Sequence, residues 1–400
     1  MRFGSALVGI VASLTIGMAT GAAQQKPLSA GDLTVPDGVP YRTVTISEPR
    51  QVAADLAIPW NVSLRFENGG CLHLAEGVTL KIDGSLEAPL QRIFWGAGKV
   101  VFGRGRVDKV YPQWWGARGD EAADDTEAIQ AAIDSIERGI VFFPAGDYAN
   151  RGVVARSWVT LQGAGPGASC LVFTPSEGSC VTLPVECSGF RLEDLSLRAT
   201  RENNAYGING TNEYVRYFSM KNFFVTGFKT GIYIAQGMHI SLEYGYIGCY
   251  GMGAANGTVG LKLGDKALNK GCTTATISDV YFTNAETDFY NRAAPCLLIR
   301  PIFETCQVGL DSYTRAIIVA PFMEGCQKAD ARFTDNGALF IGVSAAHYKF
   351  IYEDDTIRSR TSWIPDTFDC PMKIGPLNLD HHGRAGIEVE GKVERIAGPK

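Results

Sequence analysis

Leu192-Glu193-Asp194-Leu195-Ser196-Leu197 sets a frame: an apolar residue, a two-residue gap, an apolar residue, a one-residue gap, and an apolar residue. The frame returns at Met220-Lys221-Asn222-Phe223-Phe224-Val225, Leu242-Glu243-Tyr244-Gly245-Tyr246-Ile247 and Ile277-Ser278-Asp279-Val280-Tyr281-Phe282. Ile299-Arg300-Pro301-Ile302-Phe303-Glu304 and Val319-Ala320-Pro321-Phe322-Met323-Glu324 keep it but end on Glu. Start to start, the spacings are 28, 22, 35, 22 and 20 residues. A second short strand follows most of these segments, as at Gly231-Ile232-Tyr233-Ile234 and Gly309-Leu310-Asp311. A repeat of roughly 20 residues with several short strands and no helix is what one coil of a parallel β-helix requires. The fixed Leu and Asn pattern of a leucine-rich repeat is missing. The fold class is therefore all-β, a parallel β-helix solenoid, with polar or Gly-rich insertions at residues 200–212, 248–258 and 265–274.

Upstream of the repeat one helix is expected near residues 124–138. Asp124-Asp125-Thr126 is a run of N-cap residues, Ala128, Ile129, Ala132, Ile133 and Ile136 follow at helical spacing, and Gly139 stops the pattern. The surrounding segment, from Trp115-Gly116-Ala117-Arg118-Gly119-Asp120 through Ala131-Ala132-Ile133-Asp134, resembles the pectate-lyase-like superfamily of right-handed parallel β-helices, which includes rhamnogalacturonase-like, epimerase-like and tailspike-like proteins. Gly139-Ile140-Val141-Phe142-Phe143-Pro144-Ala145-Gly146-Asp147-Tyr148 and Val159-Thr160-Leu161-Gln162-Gly163-Ala164-Gly165 continue the resemblance in order, and Glu121 replaces the Gly usual at its position. The helix is expected to cover the open apolar end of the stack, with Asp120, Asp124 and Asp125 serving as caps rather than catalysts. The resemblance implies action on acidic or neutral polysaccharides by hydrolysis, β-elimination or epimerisation. Fold alone does not choose among these, and the ordered Asn-Thr-Asp, Asp-Asp, Gly-His-Gly and Arg-Ile-Lys motifs of polygalacturonase-like hydrolases are missing.

Outside the repeat, Met1-Arg2, the apolar stretch from Ala6 to Met18 and Gly21-Ala22-Ala23 read as a secretory signal peptide over residues 1–23, which implies a secreted or periplasmic chain. Residues 24–110 read as a β head or early coils, 111–350 as the β-helix, and 351–400 as a closing segment with Pro365, Pro371 and Pro376. The 400 residues carry a net charge of −5 and no Lys/Arg block, which argues against nucleic acid and anionic membranes as partners. No apolar run is long enough to span a bilayer. The ten Cys include no CxxC pair and no His at zinc-ligand spacing, so no metal site is expected. In an exported chain they form either disulfides or buried thiols, and Cys306 with Cys326 is either an inter-coil disulfide or a stacked thiol pair.

Equivalent residues of adjacent coils lie about 4.8 Å apart. Glu304 and Glu324 are such a pair, compatible with the roughly 5–5.5 Å separation of retaining glycosidases, and mutual repulsion would raise one toward acid duty. The alternative reading, strong in its own right, takes Glu304-Thr305-Cys306 and Glu324-Gly325-Cys326 as repeated turn residues satisfying backbone donors. Asp279, with Asp194 and Asn222, recurs at one place and would supply Ca²⁺ ligands if the chemistry were elimination, or else a turn-capping polar ladder. One outward position holds Glu193, Lys221, Glu243 and Arg300, and another Phe224, Tyr246, Tyr281 and Phe303. Aromatic and charged groups together suit sugar rings, with Lys221 and Arg300 neutralising a uronate carboxylate, Tyr244 or Tyr246 exchanging a proton, and Glu243 and Tyr281 contacting substrate. The same pattern also fits an aromatic stack under a loop or an oligomer interface. His239, His347 and His381-His382 fall at no catalytic spacing. The expected function is a glycoside hydrolase or polysaccharide lyase with its substrate in a lateral groove, without a cofactor apart from Ca²⁺ in the lyase case. Its rival is a non-catalytic adhesion or assembly scaffold, and the chain is expected to be a monomer or a homotrimer.

Overall fold

A computed structural model describes residues 26–200, 202–249, 256–342, 348–364, 378–379 and 385–386. The expected signal peptide, Pro365, Pro371, Pro376, His347, His381-His382 and Cys370 lie outside the described residues. From Lys109 to Ile364 every strand joins one continuous parallel ladder. The chain is an all-β parallel β-helix.

Three inward columns build the core, and each is aliphatic or aromatic in every coil. One runs Leu161, Leu192, Met220, Leu242, Ile277, Leu298, Ile318 and Phe340. A second runs Leu171, Leu197, Val225, Ile247, Phe282, Phe303 and Met323. The third runs Ile208, Ile232, Leu261, Phe289, Leu310 and Ala331. Alternation along each strand sends one residue in and the next out, so a coil buries its apolar set only against the coils above and below it.

Residues 26–110 are coils too, with parallel registers such as Val44 to Leu64, Leu72 to Phe94 and Leu80 to Val100. Their presence corrects the expected place of the helix. It spans Thr126–Asp134, not 124–138, and buries Ile129, Ala132 and Ile133 at a junction between the upstream coils and the main stack. The N–H of Phe102 donates to the carbonyl of Ser135 just past the helix, and the Phe102 and Trp114 rings lie 6.2 Å apart. The helix thus closes a seam in the middle of the solenoid. Its N-cap residue also behaves differently. Asp125 accepts from the backbone N–H groups of Arg118 and Gly119, pinning the preceding loop, while Asp124 accepts from the backbone N–H and hydroxyl of Thr126.

At the other end the ladder passes the limit read from the repeat. Ser362–Ile364 pairs with Leu339–Ile341 after a short helix, Asp355–Ser359, which interrupts the pattern and hides the last rung from sequence reading.

Candidate functional site

Each coil of the lateral face turns at one residue with left-handed backbone: Asp194, Asn222, Tyr244, Asp279, Arg300 and Ala320, with φ between 45° and 54°. None is Gly, so each holds a conformation that L-residues avoid, at a cost on the order of 1 kcal/mol. The corner interrupts the in-out alternation, and the outward residues before and after it belong to two different sheet faces.

Before the corner stand Glu193, Lys221, Glu243, Ser278, Ile299 and Val319. Arg300 is not among them, contrary to expectation. Leu298, not Ile299, pairs with Ile277, which shifts the segment by one residue and places Arg300 on the corner beside Asp279. There its guanidinium donates Nε and Nη2 to both Asp279 oxygens at 2.6 and 2.7 Å. Those bonds, with the Ser278 hydroxyl, hold the Asp279 carboxyl below the usual carboxylate range. Asn222 Nδ2 likewise donates to Asp194 Oδ1 at 2.7 Å. Both Asp279 oxygens are thus engaged by Arg300, and one Asp194 oxygen by Asn222. Among the described residues no group of three or more His, Cys, Asp or Glu is placed to hold a metal.

After the corner the outward column is Ser196, Phe224, Tyr246, Tyr281, Ile302 and Phe322. Phe303 is the second correction. It points inward, fully buried, and stacks on Phe282 with ring centroids 5.1 Å apart. Within the outer column Tyr246 stacks on Tyr281 at 5.3 Å and 14°, and Phe224 meets Tyr246 edge-on at 5.9 Å. Stacked along the axis, the two tyrosine rings cover part of each other's faces, and the column cannot serve wholly as a platform for sugar faces.

The next outward column is Arg198, Thr226, Gly248, Thr283, Glu304 and Glu324. Glu304 and Glu324 are direct register partners on adjacent coils, Glu304 half-buried and Glu324 exposed. Tyr246 reaches toward this column because Gly248 leaves room: a Cβ there would come within 2.8 Å of Tyr246 Cε1. Burial, and after it the charges of Glu304 and Asp288, raises the Tyr246 phenol. The fold therefore gathers Tyr246, Tyr281, Glu304 and Glu324 on one open strip, with the Asp279–Arg300 pair and the exposed Tyr244 on the corner next to it. Lys221 and Glu243 stay on the face before the corner, where Lys221 makes no ion pair among the described residues and Glu243 accepts from the Ser241 hydroxyl. Hollows of about 310, 730 and 610 Å³ lie elsewhere, and none is lined by this strip.

Asp288 was missed by sequence reading. It is fully buried, and neither of its oxygens has a hydrogen-bond partner; nearby are Cys306 and the backbone of Ala285 and Glu304. Burial pushes its carboxyl well above the usual range. The signal was present: the equivalent residues of neighbouring coils are Gly231, Gly260 and Gly309. The folded state holds this proton more tightly than the unfolded chain does. Stability is therefore complete below the unfolded pKa near 3.9 and falls as pH rises toward the folded value. Asp288→Asn, which cannot ionise, is expected to raise the melting temperature relative to wild type more at pH 8 than at pH 4. Equal differences at the two pH values would mean that Asp288 does not titrate in this way. A second unforeseen feature is an aromatic spine at another left-handed corner, where Trp158, Tyr217 and His239 stack with centroids 6.4 and 5.0 Å apart.

Residues 113–311 match the family model for rhamnogalacturonase A/epimerase, pectate lyase-like proteins. Among curated proteins, mannuronan C5-epimerase AlgE3 of Azotobacter vinelandii is 35% identical over 113 residues, covering 24% of this chain and 6% of that protein. Alginate lyase 7 of the same organism is 28% identical over 125 residues, covering 27% of this chain and 14% of that protein. The chain thus matches only a small part of either relative's length. Among solved structures, ORF18 of Geobacillus virus E2 aligns with a TM-score of 0.46 at 16% identity, covering 67% of this chain and 63% of that one.

Proposed function

Since the chain belongs to the pectate-lyase-like superfamily of parallel β-helices, we propose that it binds a polysaccharide along the strip carrying Phe224, Tyr246, Tyr281, Glu304 and Glu324 and hydrolyses it there. One observation carries this reading: two glutamates in direct register, one coil apart, on an outward column. A spacing of about 4.8 Å between coils suits the carboxyl separation of a retaining glycosidase. Glu304, the more buried of the two, would attack the anomeric carbon. Glu324, the more exposed, would protonate the leaving oxygen and then activate the water that releases the sugar. No cofactor is required by this scheme. An open strip accommodates a polymer passing along it better than a closed pocket would. The names of the relatives, mannuronan epimerase and alginate lyase, support a uronate-containing substrate. Elimination is supported less, because it needs a cation on the uronate carboxylate, and Arg300 is committed to Asp279 while Lys221 stands on the other face. Export to the cell exterior or periplasm belongs to the same reading. The test follows absorbance near 235 nm and new reducing ends over a panel of polyuronates and neutral polysaccharides. Reducing ends alone support hydrolysis. Both signals together would replace it with elimination.

A second reading is favoured by a different observation. On the face before the corner the outward residues change from polar to aliphatic along the stack: Ser219, Ser241 and Thr276 give way to Leu297 and Ile317, and Lys221, Glu243 and Ser278 to Ile299, Val319 and Ile341. Ile317 is 38% exposed. Such a strip suits association with further copies of the chain, as in a homotrimeric scaffold. Light scattering is then expected to give an oligomer that Ile317→Asp with Val319→Asp dissociates. A wild-type monomer at all concentrations would sink this reading.

A further inference from the structure

Beneath Glu304 and Glu324 the chain makes the same short turn twice, and Cys306 and Cys326 follow two residues after the respective glutamates. Both thiols are buried, and their sulfurs lie 2.9 Å apart. That is closer than unbonded sulfurs rest, while the parallel register brings the two backbones to the separation a disulfide spans. The N–H of Gln327 donates to the carbonyl of Cys306 at 2.9 Å and that of Thr305 to the carbonyl of Glu324 at 3.2 Å, so the backbone holds the pair from both sides. We propose that Cys306 and Cys326 form a disulfide stapling the two coils that carry the glutamate pair.

Two S–H bonds break and one S–S bond forms. The two electrons and two protons pass to a disulfide oxidant, either a protein dithiol-disulfide oxidase or glutathione disulfide, which leaves as dithiol or as two thiols. The hydrogen bond with the Cys326 thiol, and after it burial, push the Cys306 thiol up, which disfavours its thiolate in the folded, reduced protein. Because both sulfurs are buried in the folded chain, the bond forms while the last coils are still assembling and is afterwards shielded from mild reductants. Its consequence is mechanical: the glutamates sit two residues from the cross-link, and their spacing is fixed covalently rather than by hydrogen bonds alone.

The test needs no polysaccharide, so its outcome is separable from that of the hydrolase reading. The full chain is folded with glutathione disulfide present, denatured without reductant, alkylated and digested. The expected result is one cross-linked peptide species containing Cys306 and Cys326, 2 Da lighter than its two reduced halves together and lost on reduction. Alkylation of both residues before any reductant is added would overturn the proposal, as would either one paired elsewhere. Reduction of the folded protein is expected to require denaturant. Once reduced, wild type should melt at a lower temperature, whereas reductant should leave Cys306→Ala/Cys326→Ala unchanged.

Discussion

Glu304→Gln and Glu324→Gln are each expected to lower kcat on a cleaved polysaccharide by about 10²–10⁴-fold, with folding intact, because each removes a group that must give, take or share a proton or bond in the reaction. Both positions face outward and neither supports the core, so a melt of each variant should overlay that of wild type. The two variants should also fail differently. With Glu304 as nucleophile, small azide ions are expected to restore turnover to Glu324→Gln on a substrate with a good leaving group, but not to Glu304→Gln. If both variants keep wild-type kcat, the register pair is a repeated turn and the hydrolase reading falls.

Phe303→Ala is expected to cost about 3–5 kcal/mol, read from denaturant unfolding, since it empties a fully buried ring site in the centre of the last coils. Phe303 continues an aromatic stack with Phe282, which in turn lies 6.0 Å from Phe289 at 5°. The stack cannot close around the vacancy without moving two coils. Phe224→Ala, on the outer face and 41% exposed, should change stability by only about 0.5 kcal/mol. The comparison tests the register directly, because the frame read from sequence places both residues in one outward column. Equal costs for the two variants would restore that frame and remove Glu304 from the outward column it shares with Glu324.

The repeat was legible because each coil must bury its own apolar residues, and that requirement leaves a periodic mark. The frame of Leu192, Met220, Leu242 and Ile277 reads the inward column correctly in each case. The Glu304–Glu324 register was legible for the same reason: both coils carry the same pattern, spaced by 20 residues. The frame fails at Ile299-Arg300-Pro301, where Pro301 is buried just past the corner and the apolar residue before the corner is Leu298 rather than Ile299. Val319-Ala320-Pro321 repeats the arrangement, with Ile318 inward and Ala320 at the corner. Two adjacent branched residues precede the corner in both coils, and apolarity alone does not say which one turns in.

By itself the sequence determined the solenoid, the period of its coils, one buried helix and the pairing of the two glutamates, because these follow from alternation and repetition within a short window. The tertiary structure decided which side chains meet. Arg300 closing on Asp279, Phe303 turning into the core, Asp288 buried without a partner, the tyrosines stacked on one another and the sulfurs of Cys306 and Cys326 in contact all join residues 20 or more positions apart, or depend on direction at a corner. A single left-handed residue at that corner resets the in-out alternation, and a one-residue slip there exchanges the inside of the molecule for its surface.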